Sequence, residues 1–190
     1  MTRLPAHRGV ALDVGCGRGE LLALLAENFD HVRGIDVDAE MREESTIRCA
    51  GLRNAAVGAE ELEDVPVGAD LVTMVAVLHH LDLDSALKQV RRVLRPGGKF
   101  LCVGLAPPES VKDHAWDVAS MITNPIIGYI RHPWAARGAP EEVSVPMKDP
   151  ELTFREIRGA VHDVLPGADM RHHLGFRHTI EWTKDRSGLP

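Results

Sequence analysis

The stretch Ala11-Leu-Asp-Val-Gly-Cys-Gly-Arg-Gly-Glu20 carries the information that decides the fold. Its first residues are mostly apolar and predict a buried strand, the three glycines predict a tight turn, and Glu20 begins a helical pattern. Gly15 and Gly17 lack a Cβ atom, so the backbone can turn sharply there and pass close beneath a ligand. A strand that enters a helix through such a turn is typical of sites that bind adenosine-containing ligands.

An acidic residue on the next predicted strand supports this interpretation. The segment Gly34-Ile-Asp-Val-Asp38 ends an apolar run. Asp36 lies about twenty residues beyond the glycine turn, where an acid can hydrogen-bond a ribose hydroxyl. The alternative is that Asp36 caps a helix that starts near Asp38. A dinucleotide site would carry a third, later glycine, whereas Glu20 and Leu21 stand there, so the spacing argues against a dinucleotide.

Strand and helix patterns alternate along the first half of the chain, which indicates a parallel sheet with helices on both faces. Residues 95–99, Arg-Pro-Gly-Gly-Lys, predict a helix stop and a tight turn before the fifth strand. The predicted strands are Val10–Val14, His31–Ile35, Asn54–Gly58, Asp70–Val75 and Lys99–Gly104. The predicted helices are Leu21–Ala26, Met41–Cys49 and Ala86–Leu94.

The last forty residues predict one more helix and two strands. Thr153 is a plausible N-cap, and Glu156 three residues later completes a capping box before a helix that runs through Val164. Two short apolar segments follow, Met170–Phe176 and His178–Lys184. Because almost nothing separates them, we expect an antiparallel hairpin at one end of the sheet.

Together these motifs resemble the class I S-adenosylmethionine-dependent methyltransferases, particularly the small-molecule branch that includes the quinone-biosynthesis methyltransferases. The resemblance covers roughly residues 10–105. It implies a Rossmann-like class I methyltransferase fold: a mostly parallel seven-stranded sheet, an antiparallel C-terminal hairpin strand, and helices on both faces. It also implies transfer of a methyl group to a small-molecule acceptor by in-line displacement. The matching segments, in the family's order, are Leu12–Gly19, Gly34–Asp38, Ala69–Val72 leading to Ala76–Leu81, and Leu94–Lys99.

The resemblance also assigns residues to the cofactor S-adenosylmethionine and its product S-adenosylhomocysteine. Asp13 and the loop 15–17 would hold the methionine end, and Asp36 the ribose hydroxyls. The family often has an aspartate that faces the adenine amino group, but this chain has Ala59 or Glu60 in that place. Two of these assignments have structural alternatives. Asp13 can accept hydrogen bonds from its own loop backbone, and Val37 and Met41, the candidates to pack on the adenine, can be core residues. The cofactor candidates are Asp13, Gly15, Cys16, Gly17, Asp36, Val37, Met41, Ala59 and Glu60, with Ala76 and Val77 on the floor beside the sulfonium.

Methyl transfer from a sulfonium requires the nucleophile, the methyl carbon and the sulfur to lie in line, and it needs no fixed catalytic triad. A hydroxyl or protonated-nitrogen acceptor benefits from a base. His80, and after it His79, are the catalytic candidates because they follow the fourth strand, although both can merely pack or cap. We expect the two adjacent rings to point in different directions, so we predict no metal site. The cluster His172, His173 and His178 is expected on a strand surface.

The chain changes character after the fifth strand. Residues 106–150 contain seven of the twelve prolines, and we interpret them as an insertion within a single methyltransferase domain over residues 1–190. The insertion leaves the carboxyl edge of the sheet, where open α/β sheets bind ligands. We therefore expect it to form an acceptor lid, with packing against the core as the alternative. Its candidate substrate residues are Trp116, Tyr129, His132 and Trp134.

The amino-acid composition argues against two classes of binding partner. The 190 residues include 22 Lys and Arg against 28 Asp and Glu, and the net charge of -6 argues against binding to nucleic acid or an acidic membrane. Scattered cysteines and the lack of a long apolar run predict a cytoplasmic protein, with the oligomeric state left open.

Two alternative functions are a non-catalytic S-adenosylmethionine-binding module and an NAD(P)-dependent oxidoreductase. The glycine spacing and the lack of a Tyr-x-x-x-Lys pair disfavour the oxidoreductase.

Overall fold

Strands and helices alternate in the computed structural model, which describes residues 4–105, 152–173 and 177–186. The five predicted parallel strands are confirmed: the bounds of the first four differ from the prediction by at most one residue, and the fifth begins five residues earlier than predicted. The strands are β1 (Val10–Val14), β2 (His31–Ile35), β3 (Ala55–Gly58), β4 (Ala69–Val75), β5 (Leu94–Leu105), β6 (Asp169–His172) and β7 (Arg177–Thr183). The helices are α1 (Glu20–Ala26), α2 (Ala39–Cys49), α3 (Leu83–Val93) and α4 (Phe154–Val164), with 3-10 turns at Leu62–Asp64 and Leu78–His80.

The strands form one sheet in the order β3-β2-β1-β4-β5-β7-β6. Strands β1 to β5 run parallel, and β7 runs antiparallel to both β5 and β6, as predicted. The strand order reverses at β1, which pairs with β2 on one side and β4 on the other. Open α/β sheets bind ligands in the crevice at such a reversal, beyond the carboxyl ends of the strands. The glycine turn after β1 therefore lies beside this crevice.

Two apolar cores, one on each face of the sheet, hold the helices. Successive strand residues point to opposite faces. Ala11 accordingly packs with Leu22 of α1, whereas Leu12 packs on the other side with Leu87 of α3 and Val161 of α4. Each of these side chains is at most 1% exposed. The prediction of helices on both faces is confirmed.

The start of β5 differs from the sequence-based expectation. We predicted a tight turn over residues 95–99 and a strand from Lys99, but β5 begins at Leu94, which pairs with Ala69. The next pair joins Lys99 to Leu71, so the intervening residues of β5 bulge out of the ladder. Gly97 has a φ of 81°, which glycine tolerates. The predicted position of the turn was therefore wrong: the turn over residues 95–98 lies inside β5 and not before it.

The C-terminal elements agree with the sequence. The Thr153 hydroxyl accepts a hydrogen bond from the Glu156 backbone N–H, and the Glu156 carboxylate accepts one from the Thr153 N–H, which confirms the capping box. Helix α4 follows and buries Ile157 and Val161. Strands β6 and β7 pair antiparallel, and β7 lies between β5 and β6. This placement brings β7 next to the carboxyl end of β5.

Asp70 anchors the amino-terminal edge of the sheet, away from the crevice. It is 1% exposed, and its carboxylate accepts a hydrogen bond of 2.8 Å from the Val10 N–H. The same carboxylate forms an ion pair with Arg95 and lies 3.1 Å from Nδ1 of His7. One buried acid thus ties the first residues of β1, β4 and β5 together.

Asp70→Asn tests this anchor. We expect the substitution to lower the free energy of unfolding by about 2 kcal/mol, because a neutral amide no longer balances the Arg95 charge. Urea denaturation measures the loss. As a control, Asp84→Asn breaks only the exposed ion pair with Lys88 and should cost less than about 0.5 kcal/mol. Equal losses in the two variants would contradict the anchoring role.

Candidate functional site

The glycine turn after β1 is fastened to the end of β2. The Gly15 and Cys16 backbone N–H groups both donate to the Ile35 carbonyl, at 2.8 and 3.1 Å. Gly15 has a φ of 67°, and a Cβ atom there would overlap the Val77 side chain. A Cβ at Gly17 would instead meet no atom within 4 Å. The turn therefore packs tightly on one side and leaves open space at Gly17, where a ligand can approach the backbone.

Asp36 joins this turn to the end of β2. Its Oδ2 accepts a hydrogen bond of 2.9 Å from the Gly17 N–H, and its Oδ1 accepts one of 3.0 Å from the Asp38 N–H. The cap of α2 is Asp38, which accepts from the Glu40 and Met41 N–H groups, so the alternative cap role for Asp36 is wrong. A carboxylate has about four acceptor positions. Asp36 therefore retains acceptor capacity for a hydroxyl-bearing ligand.

Asp13 lies beneath the same turn. It is 2% exposed, and its Oδ1 accepts a hydrogen bond of 2.6 Å from the Thr73 hydroxyl of β4. The partner is thus a side chain of the neighbouring strand and not a loop amide. Burial raises the pKa of Asp13 to about 6, the Thr73 bond opposes this, and the Asp36 charge adds to it. A positive ligand group near Asp13 would favour its ionised form.

Cys16 supports the turn from below. Its thiol is buried and lies 3.8 Å from the Ser45 hydroxyl of α2. Burial raises the pKa of the Cys16 thiol to about 11, so it stays protonated and unreactive at neutral pH. A Cβ at Gly34 would lie 2.8 Å from the Cys16 sulfur. The side chain of Cys16 therefore fills the space between the turn, β2 and α2.

The residues predicted to contact adenine follow the ends of β2 and β3, except Met41, which lies in the first turn of α2. Val37 is 85% exposed, Met41 is half-buried, and Ala59 is exposed. Glu60 forms an ion pair with Arg33 of β2, and this bond holds the pKa of Glu60 below its ordinary value. The Glu60 carboxylate thus has a protein partner already. The structure gives Val37 and Ala59 open surroundings and rules out a core role for Val37.

The floor of the crevice begins where β4 ends. Ala76 has a φ of 55°, an uncommon conformation for a residue with a Cβ, and its N–H donates to the Val103 carbonyl at 2.8 Å. Such strained residues cluster at functional sites. Val77 follows and packs against Gly15. Val77 therefore lies against the glycine turn, and Ala76 precedes it at the end of β4.

His79 and His80 lie on the 3-10 turn after β4. Their ring centroids are 4.0 Å apart, so the expectation that the rings point apart is wrong, because the tight turn brings them together. His80 is exposed, whereas Nδ1 of His79 is buried without a hydrogen-bond partner among the described residues. Burial and the neighbouring His80 lower the pKa of His79. Asp82 caps α3 by accepting from the Ser85 N–H.

His178 is a buried residue that the sequence analysis placed on a strand surface. His172 and His173 are exposed, as predicted, but His178 is only 1% exposed. Its ring lies over Gly104, since a Cβ there would overlap it. Burial lowers the pKa of His178 to about 4, with smaller contributions from His172, His173 and His79. The sequence of β7 contains the signal: His178 precedes Ile180 and Trp182 at two-residue spacing, so all three side chains face inward.

Part of the predicted site falls outside the described residues. The insertion 106–150 and its substrate candidates Trp116, Tyr129, His132 and Trp134 all belong to this part. Within the described ranges, no helix is long and apolar enough to cross a membrane. The same ranges contain no group of three or more His, Cys, Asp or Glu side chains arranged to hold a metal ion.

Comparisons with known proteins agree with this geometry. A family model described as a methyltransferase domain matches residues 12–102. Over 185 residues the chain is 31% identical to an uncharacterized methyltransferase of Mycobacterium tuberculosis (strain ATCC 25618 / H37Rv), covering 94% of this chain and 89% of that protein. Over 99 residues it is 32% identical to the ubiquinone/menaquinone biosynthesis C-methyltransferase of Rubrivivax gelatinosus, covering 51% of this chain and 39% of that protein.

Solved structures agree on the fold. A methyltransferase from Aquifex aeolicus, described as SAM dependent, matches with a TM-score of 0.60 and 19% identity, over 93% of this chain and 82% of that one. A protein from Pyrococcus horikoshii matches with a TM-score of 0.64 and 17% identity, over 94% and 82%. At these identities the similarity supports the architecture alone.

Gly15→Ala tests the close contact between the turn and the crevice floor. We expect a loss of about 3 kcal/mol in the free energy of unfolding, because the new methyl group overlaps Val77 and the positive φ is strained. The double variant Gly15→Ala/Val77→Ala should be more stable than Gly15→Ala, since it removes the overlap. Gly51→Ala, in open space, should cost less than about 1 kcal/mol. No recovery in the double variant would contradict the contact.

The burial of His178 predicts acid-sensitive stability. Its pKa is about 4 in the folded chain against an ordinary 6.5. At pH values between these two, the unfolded chain binds a proton that the folded chain does not, so stability falls as the pH decreases. Between about pH 7 and pH 5, the wild-type protein should lose about 2 kcal/mol more than His178→Phe in urea titrations.

A matched control for this pH effect is His162→Gln, at an exposed position of α4. It should keep the wild-type pH dependence, because the substitution leaves the burial of His178 unchanged. If His178→Phe and the wild-type protein lost equal stability between the two pH values, the buried neutral state of His178 would be wrong.

Proposed function

The chain belongs to the class I S-adenosylmethionine-dependent methyltransferase family, and we propose that it methylates a small-molecule acceptor at the crevice beyond β1 and β4. The observation that carries the proposal is the bond between the Asp36 carboxylate and the Gly17 N–H. It places a half-buried acid beside a glycine with open space above it, which suits the ribose of an adenosine ligand.

We assign the methyl donor's other contacts from the same geometry. The turn 15–17 and Asp13 hold the methionine end, because an ammonium group would stabilise the buried Asp13 carboxylate. Cys16 contributes through its backbone, since its side chain is buried below the turn. Val37, Met41 and Ala59 border the adenine. Glu60 stays with Arg33, so the acid common in the family at this place has no free equivalent here.

The reaction needs position more than acid or base strength. When bound along the turn 15–17, S-adenosylmethionine would supply an electrophilic methyl group for in-line displacement from its sulfur by the acceptor. Ala76 and Val77 line the floor beside this centre and exclude water. His80 is exposed at the same edge and takes a proton from a hydroxyl or ammonium acceptor, with His79 as the second candidate.

A small acceptor and a cytoplasmic location fit the composition. The net charge of -6 does not favour nucleic acid or an anionic membrane as a partner. All three cysteines are free and buried, as in a protein from a reducing compartment. The relative from Rubrivivax gelatinosus is named for quinone biosynthesis, which supports a small-molecule acceptor. We treat residues 1–190 as one domain, with residues 106–150 as its acceptor lid.

Calorimetric titration with S-adenosylmethionine, S-adenosylhomocysteine and NAD tests the cofactor assignment. We expect micromolar binding of the first two ligands and none of NAD. Asp36→Ala should weaken binding at least about tenfold, because it removes hydrogen bonds to a charged acceptor. Asp38→Ala removes only the α2 cap and should stay within about threefold of the wild-type affinity.

The outcomes separate the candidate functions. Binding of NAD alone would support the oxidoreductase and overturn the proposal. Equal losses in Asp36→Ala and Asp38→Ala would show that the helix end, and not the ribose contact, determines affinity. Binding of S-adenosylmethionine without methyl transfer to any small acceptor would support the non-catalytic module.

A further inference from the structure

His178 and His79 leave three buried nitrogen atoms without partners. Both ring nitrogens of His178 and Nδ1 of His79 lack a hydrogen bond among the described residues. Leaving a buried polar group unpaired destabilises a protein, so native proteins pair nearly all such groups. Such groups, when they occur together, indicate a place where a polar ligand group completes the bonding.

These nitrogens lie at the acceptor end of the crevice. His178 pairs with Gly104 of β5, one residue beyond Val103, whose carbonyl accepts the Ala76 N–H. His79 lies on the 3-10 turn that follows Ala76, and this turn contacts β5. Gly104 makes this arrangement possible, because any Cβ at that position would overlap the imidazole ring.

The surroundings limit what the pair can bind. The ring of Phe154, from the first turn of α4, lies 5.9 Å from that of His178, and Arg158 lies over the same phenyl ring. Among the described residues, the titratable groups that affect the pKa of His178 are His172, His173 and His79, all of them histidines. A neutral imidazole offers one N–H donor and one acceptor nitrogen. This combination matches a neutral hydroxyl, which both donates and accepts.

The edge beside the histidine pair is apolar. Phe154 lies beside the His178 ring and packs against the apolar core on that face of the sheet. Leu81, at the end of the histidine turn, is 38% exposed. Apolar side chains beside a polar group favour a ligand with an apolar body. The pocket chemistry is therefore apolar with one neutral polar end.

We propose that His178 and His79 form the subsite that binds a neutral hydroxyl of an otherwise apolar acceptor, with His178 as a specificity-determining residue. The proposal rests on the methyltransferase function and adds the class of acceptor. The hydroxyl enters past the partly exposed His79 and occupies the unpaired nitrogens. His178 then fixes the acceptor's orientation, while His80 remains the exposed group at the methyl-transfer end.

Histidine-ring nitrogen NMR tests the subsite with phenol as the probe. Phenol is small, uncharged at neutral pH, and combines one hydroxyl with an apolar ring. With S-adenosylhomocysteine present, phenol should shift the ring-nitrogen signals of His178 and His79, whereas benzoate, which lacks a neutral hydroxyl, should not. His178→Phe should weaken phenol binding at least about tenfold while the calorimetric affinity for S-adenosylhomocysteine stays within about twofold.

Two further variants keep the test decisive. His178→Gln retains a donor and an acceptor and should bind phenol more tightly than His178→Phe, which separates hydrogen bonding from packing. His162→Gln, at an exposed site on α4, should behave as the wild-type protein. Unchanged His178 and His79 signals at millimolar phenol, or equal phenol binding by His178→Phe and the wild-type protein, would overturn the subsite. Loss of S-adenosylhomocysteine binding by the wild-type protein would instead overturn the proposed function.

Discussion

The attachment of the glycine turn to the end of β2 is the constraint on which the site depends. The Ile35 carbonyl accepts two backbone N–H groups of the turn, and the next residue, Asp36, accepts the Gly17 N–H through its side chain. These bonds hold the turn after β1 in a fixed position beyond the carboxyl end of β2, and Gly17 faces open space. The same bonds place the Asp36 carboxylate at the strand reversal, where we propose that it binds the ribose.

The features predicted best from sequence are those that local chemistry determines. The glycine turn, the acid after β2 and the α4 capping box each need particular residue types at fixed spacing. The parallel sheet follows because continuous apolar strands alternate with helices. The resemblance to the class I methyltransferases covers the part of the chain that contains the turn and its acid. The fold, the family and the cofactor can therefore be predicted from the sequence alone.

The features that sequence analysis missed depend on neighbouring strands. Glu60 is engaged by Arg33 because β3 lies beside β2, and no local pattern specifies that pair. His178 lies opposite Gly104 only because β7 inserts between β5 and β6. The side chain of His178 points inward because it lies two residues before the inward-facing Ile180 on the same strand. The prediction of a strand surface did not take this spacing into account. The bulge in β5 likewise arises from its register with β4.

A crystal structure of the chain with S-adenosylhomocysteine tests the central claim most directly, because it locates the ligand relative to the fastened turn. The account predicts ribose hydroxyls within about 2.6–3.2 Å of the Asp36 carboxylate, and the homocysteine end along the turn 15–17 above Asp13. It also predicts that the bond from the Gly17 N–H to Asp36 persists. A ligand bound away from Asp36, or a turn released from β2 when the ligand binds, would contradict the account.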